Sequence, residues 1–188
     1  MAHFDSLFQQ LQNRDPLPPL FPVQIWKPEL SAQIVQADES ALFSMDSSTR
    51  STAWCRAGLL LLNDDLDAAH HIVQDSDDTT SAFWHAIIHR REGDASNSNY
   101  WWRKVGDHAA FGDVYEATQH VLQNENSDAA REFSSFLQRR KTWLPVEFVA
   151  RCEAARNLSS DEAWLRRVQL AEMSALLAWC RVETQGGK

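Results

Sequence analysis

Cysteine is scarce in this chain: Cys55, Cys152 and Cys180 are widely spaced and odd in number among 188 residues. No CxxC pair occurs, which excludes a zinc knuckle or a thioredoxin-like motif and leaves reduced, mostly buried thiols. The six glycines form no GxGxxG, P-loop or GxSxG sequence, so classical dinucleotide, nucleoside-triphosphate and serine-hydrolase sites are not expected. The longest apolar run, Ala57 to Leu62, is far too short to cross a bilayer. Positive charge is in deficit. Eighteen basic against 26 acidic residues give a net charge of −8, whereas phosphate affinity needs clustered Lys and Arg, so neither nucleic acid nor membrane is an expected partner. The basic spots Arg139-Arg140-Lys141 and Arg166-Arg167 read as solvated faces. The first fifteen residues lack a basic start followed by an apolar run, so they do not read as a secretory signal and the expected location is the cytoplasm. Strand-like alternation longer than a few residues is missing too.

What the chain does contain is helical periodicity. A hydrophobic fraction of 44% and a charged fraction of 23% are those of an ordinary globular protein. Phe4, Leu7, Phe8 and Leu11 follow the i, i+3, i+4, i+7 pattern of a short amphipathic helix. Pro16, Pro18, Pro19, Pro22 and Pro28 then forbid regular helix over about 14–28, predicting an extended arm anchored by Phe21, Ile25 and Trp26. One or two modest helices are expected between Glu29 and Met45.

Ser51 or Thr52 can cap a helix running to about Gln74, which at 1.5 Å per residue would span roughly 35 Å. Its first half is apolar nearly all round, as a central helix is, and its second half carries Asp67, His70 and His71. Further helices are expected at about 80–91, 100–104, 109–123, 127–140 and 145–157. A last one runs to about Val182, opened by a Ser159-Ser-Asp-Glu162 capping box and followed by a loose tail at 183–188. The expectation is therefore all-α: a single domain over 1–188, a bundle of about six to eight helices around the 52–74 helix.

Chemistry-bearing residues concentrate between Trp84 and His108, which hold three of seven histidines, three of eight tryptophans and four basic residues. His85 and His89 stand one helical turn apart, so their imidazoles share a face. That geometry suits two bonds to one divalent ion. The metalloprotease form HExxH is absent, because Ala86 stands where its glutamate would be. A third ligand would come from the preceding helix, with His70 or His71 and Asp67 best placed; nitrogen ligands with a carboxylate would suit zinc, iron or manganese. A buried histidine hydrogen-bonded to a carboxylate such as Asp67 would look the same in sequence, and seven histidines produce such a spacing by chance often enough to keep that alternative open.

Arg90 and Arg91 could clamp a carboxylate or phosphate, or sit at a helix C-terminus as complements to its dipole, paired with Glu92 or Asp94. Tyr100, Trp101 and Trp102 could stack on a planar ligand or fill core. An acid–base site would use His70, His85, His89 or His108, oriented by Asp67, Glu92 or Asp94. Cys55 lies in an apolar helix half and reads as core.

The runs AGLLLLNDDLDAAHHIVQ and FWHAIIHRREGDASNSNYWWRKVGDHAAF resemble a family of uncharacterised bacterial and fungal proteins. These share an LDxxH-like motif, here Leu66, Asp67 and His70, and a WHxxxHRREGDxxNxxYW-like block. The block falls here on Trp84, His85, His89, Arg90, Arg91, Glu92, Gly93, Asp94, Asn97, Tyr100 and Trp101. With the FVARCEAA segment the likeness covers about two thirds of the chain. The resemblance carries no activity; it implies that these positions form one unit, and that His70 rather than His71 belongs to it.

The functional expectation is a His/Asp/Arg-lined pocket between the 52–74 and 80–91 helices, in a metal-dependent or acid–base enzyme acting on a small polar or anionic ligand. His70, His85 and His89 would be metal ligands; Asp67, His70 and Glu92 would be catalytic. Arg90, Arg91, Asp94, Asn97, Tyr100 and Trp101 would bind the ligand. The alternative is a non-catalytic binding or interaction module, whose exposed tryptophans would form an interface. A homo-oligomer stays open.

Overall fold

The computed structural model describes residues 2–42, 49–156 and 161–186. Among them are ten helices of eight or more residues and one four-residue turn of helix, and no strand. The all-α expectation therefore holds, with more and shorter helices than six to eight. In chain order they are α1 (Ala2–Gln12), α2 (Pro28–Gln36), α3 (Glu39–Leu42), α4 (Thr49–Leu62), α5 (Leu66–Val73), α6 (Thr79–Glu92), α7 (Ala95–Val105), α8 (Phe111–Leu122), α9 (Asp128–Arg140), α10 (Pro145–Ala155) and α11 (Glu162–Gly186).

The largest departure from expectation is at residues 63–65. The predicted 52–74 rod is two helices, α4 and α5, separated by a turn in which Asp64 takes a φ of 64°. Asn and Asp tolerate this left-handed region better than other side chains. Asn63 is held in the break by Nδ2 bonds to the Lys27 carbonyl (2.8 Å) and Ser31 Oγ (2.9 Å). Asp65 then caps α5 by accepting from the Ala68 amide at 3.1 Å. The break lets α5 pack against both α4 and α6.

The most enclosed element is α6. Every residue from Thr80 to Arg91 is buried, so it rather than a 52–74 helix is the middle of the bundle, with α4, α5 and α7 around it. Asp78 caps its start through the Ser81 amide (2.8 Å), and Gly93 closes its end in the left-handed conformation at φ 82°. Phe83, Trp84, Ile87 and Ile88 are fully buried, each contributing about 1.5–3 kcal/mol relative to exposure. Gly58 on α4 gives the Trp84 indole room: a Cβ there would sit 2.8 Å from the ring and 2.9 Å from Leu177 of α11.

Residues 13–27 form the expected irregular arm, anchored by the buried Leu20 and by polar side chains that bond its carbonyls. Arg91 donates to the Pro19 carbonyl (3.2 Å), Gln169 to the same oxygen (3.0 Å), and Arg166 to the carbonyls of Pro18 and Leu17. Phe21, Ile25 and Trp26 are only partly buried. At the other end α11 continues through Gly186, so the tail expected from residue 183 is helical as far as it is described. Ser159 and Ser160 of the expected capping box lie outside the described residues. All three cysteines are free and buried, and burial pushes the Cys55 and Cys152 thiols up to about 12, far from a nucleophile's range.

Candidate metal centre

His70 sits in the last turn of α5, and His85 and His89 stand one turn apart on α6. The contact between these helices brings the three imidazoles together. Nε2 of His70 lies 2.8 Å from Nε2 of His85, and one ligand atom from each of the three rings falls within 4.8 Å of the others. The His85 and His89 rings stack at 4.8 Å, as a one-turn spacing requires, and His70 meets both edge-on at 4.5 and 5.4 Å. His85 and His89 are buried and His70 half-buried, so the group is reached from the α5 side. His71, the neighbour that the resemblance sets aside, is exposed.

The second nitrogens differ. Nδ1 of His89 is 2.7 Å from Oε2 of Glu92, whose carboxylate must accept, placing a proton on Nδ1 so that in the neutral ring the lone pair is on Nε2. Nδ1 of His85 is buried and has no hydrogen-bond partner among the described residues. Trp101, from α7, lies flat on the His85 ring at 3.8 Å with an interplanar angle of 17°, and Lys104 sits 4.4 Å over the indole. Ser98, donating to the Ala86 carbonyl at 2.8 Å, fixes α7 against α6 and so fixes this stack.

Burial, then the neighbouring His70, His89 and Lys104, push His85 down to about 3. His70 is lowered by burial and by His89, with Glu92 and Asp67 acting in the opposite sense. His85 is therefore neutral at physiological pH. A base with so low a pKa is a poor general base near neutrality, but a neutral imidazole is the form that ligates a metal.

Asp67 does not orient a histidine. It is exposed, makes no hydrogen bond to any imidazole among the described residues, and acts on His70 only through space; Glu92 holds the histidine instead. Asp67 and Glu92 both line an open cleft of about 450 Å³, walled by arm residues 22–25 and the 64–67 turn. A larger apolar groove of about 520 Å³ around Phe136, Leu144 and Val146 shares no residue with the histidine group.

The expected arginine clamp is not there. Arg90 is 1% exposed and pairs with Glu172 of α11 through two bonds of 3.1 and 2.5 Å, over the Phe148 ring at 4.6 Å. Arg91 is 0% exposed and donates to Asp64 Oδ1 (2.5 Å) and the Leu61 carbonyl (2.5 Å), while Arg14 takes the other Asp64 oxygen at 2.7 Å. Neither guanidinium reaches a surface on which it could meet an anion. Glu92 and Asp94 are not their partners either: Asp94 caps α7 through the Asn97 amide (3.0 Å) and Ser96 Oγ (2.8 Å), which hold its carboxyl below the usual range. Asn97 enters through that backbone bond, and Tyr100 is exposed under Lys104 at 4.9 Å. Of the six expected ligand-binding residues Trp101 stacks on an imidazole of the group, and Asp94 meets His89 through the backbone. Trp102 is core, and His108 bonds Thr80 Oγ1 at 3.0 Å among Phe83 and Trp179, apart from the group.

Sequence reasoning missed Glu172, Asp64 and Arg14 as partners of the buried arginines. One signal was present. Glu172 falls on the inward stripe of α11 with Leu165, Val168 and Leu176, and a lone acid on a core stripe demands a buried cation. No family model, curated protein or solved structure matches the chain.

Proposed function

We propose that the protein is a metal-dependent enzyme in which His70, His85 and His89 hold one divalent transition ion. The observation that carries this reading is the convergence of three imidazoles within 4.8 Å, two of them buried, with Glu92, the partner of His89, on the wall of an open cleft. Three nitrogen ligands with a free coordination position are the arrangement of catalytic rather than structural zinc, where a bound water ionises near neutrality and a substrate oxygen can be polarised. Iron and manganese fit the same donors less selectively. The substrate is a small polar molecule drawn by the metal itself, since the buried arginines cannot bind an anion. Asp67, exposed on the cleft wall, is the free carboxylate available to handle a proton there.

A second reading has its own observation. The 2.8 Å between the Nε2 atoms of His70 and His85 is a hydrogen-bond distance, whereas two nitrogens bound tetrahedrally to one zinc at 2.0–2.1 Å stand about 3.3 Å apart. In that reading the histidines are a metal-free polar network. Elemental analysis of protein purified without a nickel column separates the two. Stoichiometric metal, lost in the His85→Ala, His89→Ala double variant, supports the enzyme; metal-free protein that takes up no added zinc, iron or manganese supports the network.

A further inference from the structure

We infer that Glu92 is the positioning residue of the histidine centre: its carboxylate fixes the tautomer and ring orientation of His89, so that Nε2 of that ring is the third ligand atom. The inference rests on the metal reading above and deepens it, since it gives Glu92 a role through His89 rather than on a substrate.

Three features carry it. Oε2 of Glu92 is 2.7 Å from Nδ1 of His89, and His89 is the ligand candidate whose second nitrogen a protein carboxylate holds. The helix end is built to keep the pair together: Glu92 is the last residue of α6, and left-handed Gly93 ends the helix directly behind it. There the Gly93 amide bonds the Arg90 carbonyl (3.0 Å) and the Asp94 amide bonds that of His89 (2.8 Å). Finally, Glu92 has no competing cation among the described ion pairs, because Arg90 and Arg91 turn inward to Glu172 and Asp64. A carboxylate behind a ligating imidazole raises its basicity and holds it in place, and removing such a partner typically costs about 10–100-fold in metal affinity.

As a merely structural pair at a helix end, with a side chain 37% exposed, the same contact would matter little to anything. That contrast makes the test. Metal-free full-length protein is titrated with Co²⁺ and Zn²⁺ against a competing chelator, for the wild type, Glu92→Ala and Glu92→Gln, with the melting of each apo form measured alongside. Glu92→Ala is expected to lose about 10–100-fold in affinity and to alter the visible Co²⁺ spectrum, with apo melting nearly unchanged. Glu92→Gln, which keeps an acceptor for Nδ1–H, is expected to recover part of the affinity. Wild-type binding with the same affinity and spectrum in Glu92→Ala overturns the positioning role alone. A wild type that binds neither ion overturns the metal reading and this inference with it.

Discussion

His89 and Arg90 are adjacent on α6, yet they belong to two regions that handle buried polarity in opposite ways. On the arginine side the groups are permanently charged, and every guanidinium is matched: Arg90 by Glu172, and Arg91 and Arg14 by the two oxygens of Asp64. Backbone carbonyls of Leu61, Leu62 and Pro19 take further donors. A buried charge tolerates nothing less, because leaving it unpaired costs several kcal/mol. On the histidine side no permanent charge has to be matched: burial holds His85 neutral, its Nε2 meets that of His70 at 2.8 Å, and its Nδ1 has no partner among the described residues. Matched charge builds structure and leaves no free cation for a ligand, although Nε of Arg90 and Nε of Arg91 have no hydrogen-bond partner among the described residues. Imidazoles carry no obligatory charge, and a neutral ring keeps a lone pair that a ligand can use.

The largest effect that would break this comparison is on the arginine side. Asp64→Ala strips the shared carboxylate from Arg14 and Arg91 and is expected to destabilise the fold by about 3–5 kcal/mol, read from the urea midpoint. A cost under about 1 kcal/mol would mean that the guanidinium groups reach water and are free to bind after all. The next concerns the histidines. Zinc at a hundredfold excess over its dissociation constant should stabilise the wild type by about 2.7 kcal/mol and leave the His85→Ala, His89→Ala double variant unmoved. Equal stabilisation of both would place the ion elsewhere.

The smallest is a pH dependence in the metal-free protein. His85 is lowered to about 3 in the folded chain and titrates near 6.5 unfolded, so between those values the unfolded state binds more protons. Its contribution is constant above about 6.5 and stability falls as the pH drops below it, by up to about 1.4 kcal/mol per pH unit for one histidine. His70 and His108, also lowered by burial, act in the same direction. Between pH 7 and 5 the unfolding free energy of His85→Gln should therefore decline less steeply than that of the wild type. Parallel declines would show that His85 is not held neutral.

Much of this was legible in the chain. Periodicity marked α1, α6, α8, α9 and α10 to within a few residues, and the one-turn spacing of His85 and His89 implied a shared face. What misled was the stretch from Ser51 to Gln74, whose helix-forming pattern runs on through Asn63, Asp64 and Asp65. Had it been one rod, His70 would stand about 12 Å beyond Leu62 along the axis of α4. The arginines misled for a related reason: Arg90 and Arg91 look like the end of a surface helix when α6 is viewed alone, whereas α11 and the 63–65 turn supply their counter-charges from 82 and 27 residues away.

The sequence by itself therefore determined the class of structure and the geometry inside each helix, because a regular backbone fixes which side chains share a face over one or two turns. It also placed Glu92 within reach of His89, three residues along the same helix. Tertiary structure decided the rest. A positive φ at Asp64 folds α5 onto α6 and brings His70 to the other two rings, and the packing of α11 buries Glu172 against Arg90. Both depend on contacts between segments far apart in the chain, and no local periodicity encodes them.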